Sequence, residues 1–401
     1  MKLIYNIGLL VGIQPEGVLR LEGHAQGQTG TLENAWLAIE NGRIKAFGPM
    51  SSLDVTPGPG QESLDARGGM LMPGFCDSHT HVVYAGSRDG EFLDKLGGLS
   101  YEEIAARGGG ILNSSDLLHA TSEDELYKQS MVRVQEVMEK GTVALEIKSG
   151  YGLNPEDELK MLRVIRRIRE TVPAAVKSTF LGAHAVGRGY SHEAYVQAVI
   201  DMIPQAAEYA DFVDVFCDKG FFTVEDTERI LSAAKGLLTP KIHANELAVS
   251  GGVQVGVKHG ALSVDHLERT TDAEIEALRG SDTMPTMLPG SSFFLGLPYG
   301  RAKDYLKDGL GVALASDYNP GSSPCGDMRF VMAQGCIKMR LTPVEAFNAV
   351  TLNSAYAMGL SHELGSVTVG KKAGLILTHP GWDLTKIAYL YQTPFLREVF
   401  F

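Results

Sequence analysis

Eight short β-rich segments recur along the middle of the chain, with helix-forming stretches between most of them. They lie at residues 71–81, 142–150, 176–186, 212–220, 239–247, 261–268, 281–290 and 311–321. Strands that alternate with helices pair in parallel, because each helix returns the chain to the starting edge of the sheet. Eight such units predict an α/β fold of the (β/α)8, TIM-like barrel type, and a doubly wound open sheet is the alternative.

The two ends of the chain have a different pattern, in which short strands follow one another through tight turns. Asn41-Gly42 separates two apolar runs, which is a strong signal for a β-hairpin. The C-terminal segment also contains short strand-like runs, around Gly370 and Gly374. We therefore predict that residues 1–70 and 360–401 form one small β-sandwich domain and that residues 71–359 form the barrel.

Composition and charge exclude several classes of protein. The formal net charge of −12, with no basic tract to offset it, argues against nucleic-acid and anionic-membrane partners. No stretch approaches the roughly 20 apolar residues that a membrane-spanning helix needs. The apolar N-terminal run is interrupted by Asn6 and by glycines, which favours a first strand over a signal peptide. The four cysteines include no C-x-x-C pair, so we expect a reducing, cytoplasmic location.

The string FCDSHTH, at the end of the first barrel segment, holds the first candidate metal ligands. Residues two apart point to the same side of a strand, so His79 and His81 share a face with Asp77. Active sites of such barrels lie at the carboxyl ends of the strands, where both histidines fall. The spacing predicts that they bind one metal ion and that Asp77 orients them.

Other polar residues end the later barrel strands and converge on the same mouth. These residues are Lys148, Tyr151, His184, His243, Glu246, His266 and Asp317. Lys, His and Asp are poor choices for filling a core, so their recurrence at strand ends indicates a site rather than packing. Three nitrogen ligands and one carboxylate leave a catalytic metal an open position for water. The pattern predicts a metal-dependent hydrolase.

Residues 82–141 are too many for a single crossover helix. The segment contains the run Gly108-Gly109-Gly110. We expect it to cover the barrel mouth as a lid, and a mobile surface loop is the alternative.

The motifs of this chain resemble those of the amidohydrolase superfamily. The resemblance is carried by PGFCDSHTH, KIHANEL, SVDHLE and ALASDYNPGSSP. It implies a zinc or iron ion held by His79, His81, His243 and Asp317. It also implies substrate contacts from Arg88, Tyr151, His184, Glu246, Asn319, Gly321 and Ser322, and a homodimer. Ser78 and Ser322 depart modestly from the residues that are more frequent in the superfamily.

Longer strings discriminate between branches of the superfamily. AGSRDGEF, YEEIAARGGGI, EIKSGYGLNPEDELKMLRVIR and TFLGAHAV resemble a branch that acts in histidine degradation. This resemblance implies hydrolysis of the cyclic amide of 4-imidazolone-5-propanoate to N-formimidoyl-L-glutamate. Arg88 can hold the substrate carboxylate in a bidentate pair. The catalytic groups would be Glu246, His266 and Asp317, with the assignment of acid and base left open.

Two other functions are compatible with parts of the pattern. A deaminase of the same superfamily, acting on a cytosine- or guanine-like ring, would use the same metal ligands and differ in the rest of the site. A barrel that serves only as a scaffold would have lost some of the ligands, and this sequence keeps the whole set.

Overall fold

The computed structural model describes residues 1–54, 62–99, 103, 107 and 109–401. Strands from both ends of the chain join one seven-stranded sheet within these residues, as the sequence predicts. Its strands are β1 (Lys2–Ile13), β2 (Gly30–Glu40), β3 (Arg43–Pro49), β4 (Glu62–Asp65), β5 (Gly69–Pro73), β14 (Leu375–Pro380) and β15 (Leu396–Phe400). The order is β15-β14-β5-β1-β2-β3, and β4 also pairs with β1.

The β2–β3 hairpin turns at Asn41-Gly42, as predicted. Glu40 pairs with Arg43 across the turn, and both turn residues have positive φ, 52° for Asn41 and 71° for Gly42. Asparagine and glycine tolerate this left-handed conformation better than other residues, which is why this dipeptide is found in two-residue hairpin loops. Part of the predicted N-terminal domain, residues 55–61, lies outside the described residues.

The second sheet is the predicted (β/α)8 barrel. Its eight strands are β6 (Phe75–Thr80), β7 (Thr142–Lys148), β8 (Ala175–Ala183), β9 (Phe212–Cys217), β10 (Thr239–Ala244), β11 (Ser263–His266), β12 (Met284–Met287) and β13 (Ala313–Leu314). The order of these strands follows the chain from β6 to β13 without the reversal that a doubly wound sheet requires. A parallel bridge between Thr80 and Tyr318 connects the first strand to the segment after the last, so the barrel is nearly closed.

Helices on the outside of the barrel connect successive strands. The helices of the described residues are Asp89–Leu96, Ile111–His119, Glu123–Glu139, Pro155–Thr171, His192–Ala206, Val224–Ala234, Gly252–Lys258, Asp272–Leu278, Pro289–Leu295, Ala302–Lys307, Met328–Ile337, Pro343–Ala349, Leu352–Ala357 and Leu384–Tyr389. In Pro155–Thr171, the side chain of Asn154 accepts a hydrogen bond from the Asp157 N–H, which satisfies an otherwise unpaired donor of the first turn. Among the described residues, every helix is too short or too polar to cross a membrane.

The barrel interior differs from the packing expected of this fold. Branched apolar side chains usually fill the layers inside such a barrel. Here several charged side chains are fully buried there instead, with at most 1% of their surface exposed; they are Asp77, Glu146, Lys148, Asp214, Lys241 and Asp265. The apolar core lies outside the barrel, between the strands and the helices. Removing this many charges from water destabilises the folded protein, which indicates that these side chains serve a purpose other than stability.

The predicted lid segment, residues 82–141, is described in part. Its described helices include Asp89–Leu96 and Ile111–His119, whereas residues 100–102, 104–106 and 108 lie outside the described residues. Phe92, Lys95 and Ile111 line the cavity at the barrel mouth. The described part of the segment therefore forms one wall of that cavity, and its closure over a substrate stays a prediction.

Candidate metal centre and active site

The side chains of His79, His81, His243 and Asp317 converge at the mouth of the barrel. Nε2 of His81 lies 3.3 Å from Nε2 of His79 and 3.5 Å from Nε2 of His243. Oδ1 of Asp317 lies 3.5 Å from Nε2 of both His79 and His81. The structure therefore brings the four predicted ligands together, although they come from strands β6 and β10 and from the segment after β13.

The chemistry of these donors fits a divalent metal ion. Burial, with Lys148 and neighbouring histidines contributing, holds the pKa of His79 well below its usual range, and burial lowers the pKa of His243 to about 3. Lone pairs of neutral imidazole nitrogens that face one another repel unless a cation or a shared proton lies between them. Zinc bonds to nitrogen and oxygen of about 2.0–2.2 Å place neighbouring ligand atoms roughly 3 Å apart, which is close to the separations observed.

Two carboxylates inside the barrel orient the imidazole rings. Nδ1 of His79 lies 2.7 Å from Oδ2 of Asp265, and Nδ1 of His243 lies 2.9 Å from Oδ2 of Asp214. A proton held on Nδ1 by a carboxylate leaves Nε2 as the metal donor and raises its basicity. The prediction that Asp77 orients the histidines is wrong, because its carboxylate accepts hydrogen bonds from the backbone N–H and the hydroxyl of Ser316.

A second group of possible metal donors consists of His79, His243 and His266. Nε2 of His266 lies 3.7 Å from Oε2 of Glu246, and Nδ1 lies 3.5 Å from Oε2 of Glu268. Burial disfavours the imidazolium of His266, but these carboxylates outweigh it and hold the pKa of His266 above its usual range. Burial also raises the pKa of Glu246 to about 7. The pair is therefore suited to exchanging a proton near neutral pH.

A cavity of about 380 Å³ opens from the metal donors toward the segment after β6. Most of the predicted site residues line it; these are His81, Arg88, Tyr151, His184, His243, Glu246, His266, Asp317, Asn319, Gly321 and Ser322. Lys148, which was also predicted at the mouth, and Asp77 are fully buried inside the barrel and do not line the cavity. His79 lies beneath the cavity floor and is fully buried. A volume of this size is suited to a small molecule rather than to a polymer.

Arg88 lies on the cavity wall and is held by Glu91. Nε and Nη2 of Arg88 both donate to Oε2 of Glu91, at 2.9 and 2.7 Å. Glu91 also accepts from the Gly110 N–H at 3.1 Å and from Asn113 Nδ2 at 3.0 Å. Arg88 therefore forms an ion pair with Glu91, yet its side chain still faces the cavity. The pair fixes the guanidinium in place and does not divert it to the surface.

The loop after β13 closes the cavity opposite Arg88. Oδ1 of Asn319 accepts from the N–H groups of Gly321 and Ser322, both at 2.8 Å. Ser322 and Ser291 donate hydroxyl hydrogen bonds to Oδ2 of Asp317, at 3.2 and 2.5 Å, so Oδ1 is left to face the histidines. Asn319 thus shapes the loop, and the serines fix the orientation of the carboxylate.

Gly321 is the one position of this loop at which a side chain would collide with Arg88. A Cβ atom there would lie 2.1 Å from Nη1 of Arg88. We expect Gly321→Ala to displace the guanidinium and to raise KM about tenfold, because a small misplacement of a binding group is costly. Steady-state kinetics measure the effect, and Gly27→Ala, where an added Cβ would lie 3.8 Å from the nearest side-chain atoms, is the control for a general effect of an added methyl group. An unchanged KM would show that Arg88 does not bind substrate.

Asp218 organises the loop that carries Glu246. Its carboxylate accepts hydrogen bonds from the N–H groups of Glu246, Leu247 and Ala248, at 2.8, 3.0 and 3.1 Å. Asn245, just before this loop, has a φ of +61°, and His266 and Asp317 also have positive φ, of 85° and 53°. Such strained backbone at the ends of strands is frequent in functional sites, where surrounding contacts over-determine it.

We expect Asp218→Ala to lower kcat/KM by roughly 10- to 100-fold, because Glu246 loses the anchor of its backbone. Thermal denaturation should show a folded protein, since water can reach the freed N–H groups of the exposed Leu247 and of Ala248. Asp218→Asn retains one carbonyl acceptor, so its kcat/KM should lie between that of Asp218→Ala and that of the parent protein. Equal activity in all three proteins would contradict a role for Asp218 in placing Glu246.

Comparison with known proteins agrees with this geometry. The sequence matches the amidohydrolase family over residues 70–396. An imidazolonepropionase from Flavobacterium johnsoniae is 49% identical over 405 residues, covering 100% of this chain and 98% of that protein. The chain belongs to the imidazolonepropionase family of the amidohydrolases.

Further relatives of the same name and the solved structures extend this comparison. An imidazolonepropionase from Christiangramia forsetii is 49% identical over 404 residues, covering 99% of this chain and 98% of that protein. The structure of an adenosine deaminase from Xanthomonas campestris with bound zinc has a TM-score of 0.74 at 16% identity, covering 99% of this chain and 91% of that one. At this identity the likeness shows the fold alone. Family membership and the converging donors support a divalent metal at this site.

Several side chains of this imidazolonepropionase-family site were not identified as site residues from the sequence. They are Glu91, Glu146, Asp214, Asp218, Lys241 and Asp265. The alternation of side chains along the strands could have identified four of them. Lys241 lies two residues before His243, and Glu146 lies two residues before Lys148, so each shares a strand face with a predicted site residue. Asp214 and Asp265 lie inside short barrel strands. Charged residues at the inward-facing positions of a buried strand need partners, so this alternation indicates a buried charged cluster inside the barrel.

Proposed function

We propose that this chain hydrolyses the cyclic amide of 4-imidazolone-5-propanoate to N-formimidoyl-L-glutamate, a step of histidine degradation. One observation carries the proposal: a small cavity has metal-type donors at one end and a partly buried arginine on its wall. The substrate has the matching chemistry, with a carbonyl to be attacked in the ring and a carboxylate on the tail. Two relatives that are 49% identical to this chain over nearly the full length are named imidazolonepropionase, and this name supports the same substrate.

We propose that His79, His81, His243 and Asp317 hold one metal ion, zinc or iron. Imidazole and carboxylate ligands accommodate both metals, and the zinc of a structural neighbour supports the first. When bound, the metal would supply Lewis acidity toward the ring carbonyl and lower the pKa of water. Asp265 would support His79, and Asp214 would support His243, as the short distances from each carboxylate to Nδ1 indicate.

Arg88 would bind the propanoate carboxylate. Its Nη1 is not part of the hydrogen bonds to Glu91, and the Arg88 side chain lines the cavity together with Gly321. Tyr151 and the loop of Asn319, Gly321 and Ser322 would enclose the tail, since all of them line the same cavity. These contacts would set the distance between the carboxylate and the ring and so place the carbonyl at the metal donors.

His184 would contact the ring as a hydrogen-bond acceptor. Its Nδ1 lies 2.9 Å from the carbonyl oxygen of Gly150, so Nδ1 donates and Nε2 is left with a lone pair. Burial lowers the pKa of His184 to about 4, which keeps the ring neutral. A neutral acceptor suits an N–H of the imidazolone and does not suit its carboxylate.

Proton transfer would be shared by Asp317, His266 and Glu246. The oxygen of water adds to the ring carbonyl carbon, and one water proton passes to Asp317. The bond between that carbon and the ring nitrogen then breaks, and Glu246 gives the nitrogen a proton that the imidazolium of His266 supplies; the proton on Asp317 then restores His266. The product carries one new carboxylate and one new N–H, and the second water proton is released, so one water is consumed for each ring opened.

The test is turnover of imidazolonepropionate by the metal-loaded protein. We expect its ultraviolet absorbance to fall and mass spectrometry to identify N-formimidoylglutamate. Guanine and cytosine, followed by release of ammonia, test the deaminase alternative, for which the structural neighbours of 14–16% identity supply only a common fold. Ammonia release without ring opening of imidazolonepropionate would overturn the proposal.

A further inference from the structure

Five ionisable side chains lie packed together inside the barrel, beneath the proposed metal ligands. They are Glu146, Lys148, Asp214, Lys241 and Asp265, each with at most 1% of its surface exposed. Three carboxylates and two ammonium groups give the cluster a formal charge of −1. None of the five lines the cavity, so they do not meet the substrate directly.

Lys148 has a central position in this cluster. Its Nζ lies 2.5 Å from Oε1 of Glu146, 2.8 Å from Oδ2 of Asp214 and 3.7 Å from Oδ2 of Asp265. Burial opposes the charge on this amine, but the three carboxylates outweigh it and raise the pKa of Lys148 above its usual value. An ammonium group therefore lies between Asp214 and Asp265.

Those two carboxylates are the partners of the ligand histidines. Oδ2 of Asp265 lies 2.7 Å from Nδ1 of His79, and Oδ2 of Asp214 lies 2.9 Å from Nδ1 of His243. The same Oδ2 atoms face Lys148, so one ammonium group contacts both the carboxylate beside His79 and the carboxylate beside His243. Nδ1 of His79 forms a hydrogen bond with Asp265, whereas Nδ1 of His243 contacts Asp214 at ion-pair distance without hydrogen-bond geometry; Nδ1 of His81 has no hydrogen-bond partner within the part of the chain that the structure describes.

We propose that Lys148 is a positioning residue of the metal centre, which holds the side chains of Asp214 and Asp265 in place so that His79 and His243 present Nε2 to the metal. The inference rests on the proposed metal ligands and not on the identity of the substrate. Without the ammonium, two buried carboxylates would lose their common partner, and rotation of either side chain would relieve the repulsion between them. Such a rotation alters the contact that fixes the ligand ring.

Lys241 has a different place in the cluster and provides a matched control. Its Nζ forms a short ion pair with Glu146 and donates to the carbonyl oxygens of Ser78 and Ala357, at 3.0 and 3.2 Å. It lies 3.7 Å from Asp265 and forms no ion pair with Asp214 within the described residues. Loss of Lys241 removes the same charge from the cluster but leaves the bridge between the two supporting carboxylates.

The experiment measures metal binding by charge-balanced variants. Lys148→Met/Glu146→Gln and Lys241→Met/Glu146→Gln each remove one positive and one negative charge, so the formal charge of the cluster stays −1. The dissociation constant for Co²⁺ is measured by competition with a chelating dye, and the visible spectrum of the Co²⁺-loaded protein reports the ligand geometry. Thermal denaturation of the metal-free proteins reports stability.

We expect the Lys148 pair of substitutions to weaken Co²⁺ binding roughly 10- to 100-fold and to shift the visible spectrum. The Lys241 pair loses a contact to Asp265 but keeps the bridge between the two carboxylates, so it should weaken Co²⁺ binding less than the Lys148 pair does, and Lys371→Met should bind Co²⁺ like the parent protein. Lys371 is also buried but donates to Ser361 and Ser366, away from the metal ligands. If the Lys148 pair does not fold, Lys148→Gln, which keeps an N–H donor without a charge, is the second variant and should weaken binding in the same direction.

The outcomes separate this inference from the proposed function. Unchanged Co²⁺ affinity and spectrum in the Lys148 variants, or an equal loss in the Lys241 and Lys371 variants, would overturn the positioning role. A parent protein that binds Co²⁺ but does not open imidazolonepropionate would defeat the proposed substrate and leave the positioning role standing. A parent protein that binds no metal would defeat both.

Discussion

His243→Ala is expected to remove the bound metal and to lower kcat/KM by at least about 10³-fold, since metal assistance supplies several kcal/mol of transition-state stabilisation. The substitution deletes one of three nitrogen donors and leaves the carboxylate of Asp214 without the imidazole that lies 2.9 Å from it. Elemental analysis measures the metal content, and the ultraviolet assay measures turnover.

The control for His243→Ala is another histidine that pairs with a buried aspartate. Nε2 of His192 lies 2.8 Å from Oδ2 of Asp226, at the start of a helix outside the barrel. His192→Ala loses a comparable contact and should retain both metal and turnover. One metal per chain together with parental activity in His243→Ala would contradict the proposed ligand set.

Much of the fold could be predicted because local patterns determine it. Seven of the eight β-rich segments contain their barrel strand in full, and the third misses only Ala175 at the start of β8; the helix that starts after Asn154 begins where its capping residue and proline indicate. The sequence did not show that residues 71–81 belong to two different strands, β5 and β6, because apolar residues continue from one strand into the other. Gly74 separates them: a Cβ there would lie 2.3 Å from a methyl carbon of Val143, so the chain crosses closely between the two sheets at that point.

The candidate site was predictable to the extent that it lies at strand ends. Residues that end parallel strands meet at one edge whatever their separation in sequence, which is why His81, His243 and Asp317 could be grouped. Which buried carboxylate supports which histidine could not be predicted. Asp77 shares a strand face with His79, yet the partner of His79 is Asp265, which comes from the opposite side of the barrel, 186 residues along the chain. Such pairings depend on the radius and register of the closed barrel.

Arg88→Met is expected to lower kcat/KM for imidazolonepropionate by on the order of 10²- to 10³-fold, mainly through KM. Truncation of one partner of a buried charge pair costs about 2–5 kcal/mol, and the substrate carboxylate would be left unpaired in the cavity. Methionine approximates the length of the arginine stem, so the apolar packing is largely retained. Glu91 keeps its hydrogen bonds from Gly110 and Asn113, which limits the effect on stability.

A substrate analogue isolates the role of the guanidinium. Replacing the propanoate by its neutral amide removes the charge that Arg88 is proposed to bind, so the parent protein should process the analogue slowly. Arg88→Met should then cost little further activity on the analogue, because the interaction is already absent. The coupling between the two changes measures the ion pair itself and excludes a general distortion of the site. Equal losses on substrate and analogue would mean that Arg88 acts through structure, and the carboxylate would have to be bound elsewhere in the cavity.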